Sequence, residues 1–114
     1  MLSSGDIVDL DLGTPSGRGA GMRRPVVIVT AQRLLEAAPN VVQVVPLTTW
    51  IRGFGSEVLI ERTATNGLDR TSAAQCQHIR AVAVGRVERV RGRADAEALT
   101  QIREVLGLIL DIPA

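Results

Sequence analysis

Two short stretches of the chain carry the residue types that a phosphoryl-transfer reaction needs. Arg23 and Arg24 come directly before the β-branched run that starts at Pro25, and Thr48 and Thr49 end a second apolar run. Arginine stays protonated in proteins and binds phosphate through paired hydrogen bonds, while a hydroxyl both donates and accepts. Such groups could align a ribose 2′-hydroxyl with its own neighbouring phosphate and stabilise the charge of the transition state. These residue types therefore indicate RNA cleavage that needs no metal and no cofactor.

Each of these side chains also has a purely structural interpretation. An arginine at the entrance of a strand can pair with a surface carboxylate, which would explain Arg24 without a functional role. A threonine at the end of a strand commonly satisfies a turn through its hydroxyl. Because Thr48 and Thr49 are adjacent, the sequence leaves open which of the two would take the functional position.

Metal and covalent catalysis have little support in the sequence. The chain has one histidine, His78, and one cysteine, Cys76, and it lacks the HExxH and CxxC spacings of zinc sites. The GxSxG turn of serine hydrolases is absent, as are the glycine-rich nucleotide-binding motifs. On a strand Cys76 and His78 would share a face, which permits a nucleophilic pair, but a small buried cysteine beside a partly exposed histidine explains the spacing equally well. We expect no metal and no cofactor.

All thirteen basic residues are arginines, set against twelve acidic residues for a formal net charge of +1. Residues 15–55 contain five arginines and one glutamate, and residues 70–93 contain six arginines and one glutamate. Clustered arginine favours phosphate binding, although a codon bias combined with a solvated face would give the same composition. The candidate RNA contacts in these segments are Arg18, Arg52 and Arg80. Arg80 could equally stabilise the fold through an ion pair with an aspartate or a glutamate. For the remaining cluster we predict a solvated rim made of Arg86, Arg89, Arg91 and Arg93.

The only two aromatic residues, Trp50 and Phe54, both follow Thr48 closely. They could stack on bases or line a dimer interface, with Arg52 between them touching phosphate. The alternative is a loop that folds back on its own aromatic side chains.

Hydrophobic periodicity predicts the elements that must position these residues. Alternation and β-branched runs predict strands over residues 5–12, 25–30, 41–47 and 56–60, with one or two more over residues 72–84 that lead into residues 85–90. Residues 13–24 are rich in glycine and predict a long loop. We expect Thr30 to cap a short helix over residues 31–38, and Asp95 to cap an amphipathic C-terminal helix. In that helix Leu99, Ile102, Leu106 and Ile109 are the predicted core residues.

Length and composition limit the class of protein. A chain of 114 residues with 46% hydrophobic content predicts a single domain over residues 1–114, with five to seven strands in a small curled sheet or barrel and a C-terminal helix. The lone cysteine excludes an intrachain disulfide. No segment approaches a membrane span, and the first residues lack a signal-peptide layout, so we expect a cytoplasmic protein.

The order of the segments resembles the MazF/PemK family of toxin endoribonucleases over nearly the whole chain. The resemblance is carried by GDIVDLDL, the glycine-rich loop, RRPVVIV, VVPLTT, EVLI, NGLDRTS, QHIR and a final L-x-x-I-x-x-x-L-G-L pattern, of which RPVVIV and VPLTT are the most specific. It implies an SH3-like barrel, a homodimer, single-stranded mRNA or tRNA as substrate, and a cognate antitoxin with an extended acidic, hydrophobic segment. It also implies that Arg24 and Thr48 form the active-site pair and that cleavage leaves a 2′,3′-cyclic phosphate and a 5′-hydroxyl.

The chain departs from the family pattern in two places that bear on chemistry. Many members have a Ser-Glu-Gln-like cluster in the first loop, where this chain has Arg18 followed by glycine and alanine. The usual Gln-Ile-Arg is His78-Ile-Arg80 here, preceded by Gln77, so Gln77 and His78 are both candidate RNA contacts. Two other functions stay open: a gyrase-poisoning toxin of the CcdB type, and a non-catalytic RNA-binding or regulatory module.

Overall fold

The computed structural model describes residues 1–12 and 23–113 of the chain. This part contains seven β-strands and two α-helices. In chain order they are β1 (Asp6–Asp11), β2 (Arg23–Ile28), α1 (Gln32–Leu35), β3 (Val41–Thr48), β4 (Glu57–Ile60), β5 (Ser72–Gln75), β6 (Arg80–Ala83), β7 (Val87–Arg93) and α2 (Ala96–Ile109). The expected β-rich chain with a C-terminal helix is confirmed. The predicted loop over residues 13–24 is wrong at its end, since Arg23 and Arg24 already pair with β1.

The strands form one antiparallel sheet in the order β4-β5-β3-β2-β1-β7, with β6 beside β3. The central strand is β3, which pairs with β2 on one edge. On its other edge it pairs first with β6 and then, through its last two residues, with β5. The result is the SH3-like arrangement, but as a curled sheet whose described strands do not close into a barrel, because β4 and β7 stand at opposite ends of the order.

Each face of the sheet carries its own hydrophobic core, because successive strand residues point to opposite sides. On one face Ile7, Val27 and Val45 pack with Ile102 of α2. On the other face Val8, Val26, Ile28 and Val44 pack with Leu35 of α1. Burial on both faces explains why β2 and β3 are continuous apolar runs rather than alternating ones.

Helix α2 begins as predicted and ends outside the core. The Asp95 carboxylate accepts a hydrogen bond from the backbone N–H of Ala98 at 2.8 Å, which confirms the N-cap. Ile102 and Leu106 are buried, but Ile109 is 41% exposed, contrary to the prediction, and the neighbouring Leu108 and Leu110 are exposed as well. None of the helices in the described ranges is long and apolar enough to span a membrane.

The prediction for α1 was wrong at both ends. Thr30 does not cap the helix, because its hydroxyl donates to Oε1 of Gln43 and accepts from the backbone N–H of the same residue, both at 2.8 Å. Ala31 takes the N-cap position without a side-chain hydrogen bond. The helix is four residues long, and the chain leaves it through Ala38 at a positive φ of 54°. A contact with the neighbouring strand therefore outweighs the local capping preference.

The segment that joins β5 to β6 is a 3-10 turn, Cys76–His78, where a strand was predicted. Cys76 is fully buried, whereas His78 is exposed. The two side chains therefore do not share a face, and the structure does not support a cysteine–histidine nucleophilic pair. Burial also raises the pKa of the Cys76 thiol to about 11.

We expect the Cys76 thiol to be inert in the folded protein. At pH 8 a buried thiol with so high a pKa is neither ionised nor accessible. A thiol-specific chromogenic disulfide should titrate no thiol in the native protein within minutes, and one thiol per chain after unfolding in urea. Rapid reaction of the native protein would show that the core around the 3-10 turn opens readily.

Candidate active site

Arg24 and Thr48 lie opposite each other at one end of the sheet. Strands β2 and β3 are antiparallel, with Val26 opposite Pro46. Continuing this register by two residues brings Arg24 opposite Thr48, and both side chains lie on the same face because side-chain direction repeats every two residues. Two residues that are 24 positions apart in the sequence are thus neighbours across the sheet.

The guanidinium group of Arg24 contacts a neutral partner. Its Nη1 donates to Oε1 of Gln75 at 3.5 Å, and Gln75 is buried as the last residue of β5. Within residues 1–12 and 23–113 Arg24 forms no ion pair with a carboxylate. The surface-carboxylate alternative is therefore unsupported there, and the half-buried charge is uncompensated and available to an anion.

The hydroxyl of Thr48 serves a turn and remains available to donate. Its Oγ1 accepts a hydrogen bond from the backbone N–H of Trp50 at 3.1 Å. In the described part of the chain no acceptor takes the hydroxyl hydrogen of Thr48. Thr49 comes after the end of β3 and lines a cleft with Pro25. Of the two threonines, Thr48 is the one that shares a face with Arg24.

Two adjoining clefts lie at this end of the sheet, the first lined by Arg24 and the second by Thr49. They have volumes of about 350 and 340 Å³ and share Pro25 and Arg91 in their walls. The first cleft brings Arg23 and Arg24 together with Arg89, and the second adds Arg70. Five arginines and three acidic residues line the two clefts together. The charge of this surface is therefore net positive, as a phosphate backbone requires.

The predicted solvated rim was wrong for Arg91, whose side chain is only 17% exposed. Asp9 on β1 accepts from Nε of Arg91 and from Nε of Arg89, each at 2.6 Å. Arg91 also reaches the carbonyl of Gly67 at 3.2 Å and the carboxylate of Asp69 at 3.5 Å. Arg91 on the edge strand β7 therefore forms part of the wall shared by the two clefts, because Asp9 on the adjacent strand β1 holds its side chain in place.

We expect Asp9→Asn to destabilise the protein at neutral pH by roughly 2 kcal/mol, because two charged hydrogen bonds are lost. Burial raises the pKa of the Asp9 carboxyl, but the hydrogen bonds and charges of Arg91 and Arg89 outweigh burial and hold that pKa below its ordinary value. Because the pKa of Asp9 is lower in the folded protein than in the unfolded chain, ionised Asp9 stabilises the fold above about pH 4. This stabilisation is lost as the pH falls through the folded-state pKa. The difference in Tm between wild type and Asp9→Asn should therefore be largest near pH 7 and shrink below pH 4.

Asp69→Asn is the matched control for that measurement. Asp69 also faces Arg91, but its side chain is 88% exposed and the ion pair is long, at 3.5 Å. Exposed pairs of this kind stabilise proteins very little. Equal effects of the two substitutions would contradict the assigned role of Asp9.

The other predicted contacts lie in three places. Trp50 and Arg52 are exposed in the loop after β3. Gln77 and His78 lie in the 3-10 turn, where Gln77 is half-buried and its Oε1 is buried without a hydrogen-bond partner in the described structure. Arg80 lies opposite Val44, four residues along β3 from Thr48, or roughly 13 Å in an extended strand. Arg18 lies outside the described residues.

The structure adds three residues that the sequence did not single out. Gln75 holds Arg24, and Arg70 and Ser72 line the cleft beside Thr49. The only sequence signal for Arg70 was its place in a turn directly before a strand, which many surface arginines share. No local pattern marks Gln75, because its contact with Arg24 spans 51 positions.

Comparison with known proteins identifies the family of the chain. Residues 3–110 match the family described as PemK-like, MazF-like toxin of type II toxin-antitoxin system. The chain is 36% identical to endoribonuclease MazF9 of Mycobacterium tuberculosis, with 98% of each chain aligned. It is 32% identical to endoribonuclease MazF3 of the same species over 78% of this chain and 84% of that protein.

Solved structures share the fold. Toxin MazF-mt6 of Mycobacterium tuberculosis superposes with a TM-score of 0.77 at 27% identity, covering 96% of this chain and 99% of that one. A MazE–MazF complex from Deinococcus radiodurans gives a TM-score of 0.80 at 23% identity, covering 98% and 97% of the two chains. Together with the family match, these similarities show that the chain belongs to the PemK-like, MazF-like toxins of type II toxin-antitoxin systems.

Proposed function

We propose that this protein is an endoribonuclease toxin that cleaves single-stranded RNA by attack of a ribose 2′-hydroxyl on the adjacent phosphate. The observation that carries the proposal is the position of Arg24 opposite Thr48, with a neutral amide as its partner. The relatives that are named endoribonucleases support the same activity.

Arg24 acts in this mechanism as an electrostatic catalyst. A guanidinium does not give up its proton at ordinary pH, so Arg24 cannot serve as a general base. It binds a non-bridging oxygen of the scissile phosphate and stabilises the charge that builds up there in the transition state. Because Gln75 contacts only one side of the group, at 3.5 Å, the phosphate has donors left to bind.

Thr48 orients the reacting groups. Its hydroxyl accepts from the Trp50 N–H and therefore donates its own hydrogen towards the phosphate or the leaving oxygen. The bond between the 2′-oxygen and phosphorus forms as the bond from phosphorus to the 5′-oxygen breaks. The 2′-hydroxyl loses a proton to solvent and the 5′-oxygen takes one up, which leaves a 2′,3′-cyclic phosphate and a 5′-hydroxyl.

The two clefts give the path of the RNA backbone on either side of this step. Arg23 and Arg89 flank the first cleft, and Arg70 with the hydroxyl of Thr49 flanks the second. Contacts of this type bind phosphate without reading sequence, so they supply salt-dependent affinity.

We propose in addition that residues 1–114 form one toxin domain, which acts as a homodimer in the cytoplasm and is neutralised by a cognate antitoxin. The structural relative from Deinococcus radiodurans is itself a MazE–MazF complex. Single-stranded mRNA and tRNA are both candidate substrates.

The test is incubation of the purified protein with a long single-stranded RNA in EDTA, followed by sequencing of fragment ends. We expect discrete cuts with 5′-hydroxyl ends, all lost in Arg24→Ala. Intact RNA across several substrates, tRNA included, would overturn the endoribonuclease proposal. Gyrase supercoiling and RNA-binding assays would then separate a gyrase poison from a non-catalytic RNA-binding module.

A further inference from the structure

The loop between β3 and β4 presents a preassembled stacking surface. The guanidinium carbon of Arg52 lies 4.1 Å from the centroid of the Trp50 ring, and the Trp50 side chain is 70% exposed. We call this pair, Trp50 with Arg52, the stacking platform. Ile51 and Phe54 of the same loop are exposed as well, and a cluster of exposed apolar side chains marks an interaction site.

Glu57 fixes the shape of this loop. Its Oε1 accepts hydrogen bonds from the backbone N–H groups of Arg52, Gly53 and Phe54 at 3.1, 2.8 and 3.2 Å. Three donors on one carboxylate oxygen form a charge-assisted network. Gly53 supports the turn with a positive φ of 78°, which other residues rarely adopt. The loop is therefore ordered by polar contacts although its apolar side chains face solvent.

Both ends of the loop are joined to the candidate active site. At one end the backbone N–H of Trp50 donates to the hydroxyl of Thr48. At the other end Glu57 pairs with Gln75 across β4 and β5, and Gln75 accepts from Arg24. Trp50 is two residues from Thr48, so their Cα atoms lie within about 7 Å. That separation matches the step from one nucleotide to the next.

We propose that the stacking platform binds the base of the nucleotide next to the scissile phosphate, and that Glu57 is the positioning residue that holds the platform in place. The proposal rests on the endoribonuclease function proposed above. Arg52 lies over the indole ring, and because Trp50 is still largely exposed, ring surface remains for a base to contact. A base stacked there gains both aromatic and cation–π contributions, and the charge of Arg52 lies near the backbone phosphate.

Trp50 is itself the reporter for the test. It is the only tryptophan, and the chain has no tyrosine, so the fluorescence excited at long wavelength comes from this ring. The wild-type protein is titrated with an RNA oligonucleotide that carries 2′-O-methyl groups throughout and cannot be cleaved. We expect saturable quenching of Trp50, and about 10- to 100-fold weaker binding by Trp50→Leu when measured by anisotropy of labelled oligonucleotide.

Glu57→Gln tests the positioning role. It keeps the size of the side chain but weakens the three hydrogen bonds, so KM for a cleavable RNA should rise several-fold with little change in kcat or in Tm. The base preference at one position beside the cut should relax. Glu36→Gln makes the same charge change at the end of α1 and should alter neither KM nor the cut pattern.

The outcomes separate this proposal from the one on which it rests. If wild type cuts RNA while Trp50 fluorescence is unmoved and Trp50→Leu keeps the same cut pattern, the platform is wrong and the nuclease stands. If Trp50→Leu instead converts a dimer to a monomer in sedimentation, the loop is an interface between copies and the platform is wrong. If wild type does not cut RNA, the titration still decides whether a base stacks on Trp50.

Discussion

Arg24→Ala is expected to slow RNA cleavage by about 100- to 1000-fold, the usual loss when one charge-stabilising donor is removed from a transition state. The structure concentrates this role in one side chain, since Arg24 is half-buried and, among residues 1–12 and 23–113, its guanidinium contacts the neutral amide of Gln75 and no carboxylate. The measurement is single-turnover cleavage of a short RNA that contains one mapped cut site. Tm is measured on the same protein to confirm that the variant folds.

Three variants sharpen the interpretation. Arg33→Ala removes an exposed arginine on α1 and should leave cleavage at the wild-type rate. Thr48→Val removes the hydroxyl but keeps the shape, and the double variant with Arg24→Ala should lose little more than Arg24→Ala alone, because the two groups act in one step. A decrease of less than about threefold in Arg24→Ala would contradict the electrostatic role.

Gly92→Ala is expected to cost more than about 3 kcal/mol of unfolding free energy. Gly92 lies on β7 where the turn of residues 63–69 crosses it, and a Cβ there would overlap the carbonyl oxygen of Thr65 and lie 2.7 Å from the carbonyl carbon of Asn66. The obstacle is backbone, and the turn cannot yield easily because the Asn66 side chain bonds the backbone of Glu61, Thr63 and Leu68. Urea unfolding followed by far-UV circular dichroism measures the loss.

Gly107→Ala is the matched control. Gly107 lies in α2 with nothing within 4 Å of the added Cβ, so the substitution should stabilise the protein by up to about 1 kcal/mol through helix propensity. Similar effects at the two glycines would show that the close crossing of the turn over β7 does not constrain the fold. Because this turn ends at Asp69, directly before Arg70, and both residues line the second cleft, Gly92→Ala should also weaken RNA binding there.

Features that depend on neighbours within a few positions could be predicted from sequence. The β-branched runs around Pro25 and Val41 predicted strands, and both strands are present. Asp95 capped α2 where the apolar spacing changed to that of a helix. The candidate pair Arg24 and Thr48 followed from residue type and from the resemblance, and the register of β2 and β3, continued by two residues beyond Val26 and Pro46, brings the two opposite each other.

Features that depend on distant partners were decided only by the tertiary structure. The sequence predicted Thr30 as a helix cap, but its hydroxyl bonds Gln43 instead. It predicted Arg91 in a solvated rim, but Asp9 binds that side chain. No residue near Gln75 in the sequence indicates that Gln75 contacts Arg24. The sequence by itself determined the elements and the residue types available for chemistry, because periodicity and capping act within one or two turns of chain. The contacts between side chains were decided by strand order and register, because they join residues that are 13 to 82 positions apart in the sequence.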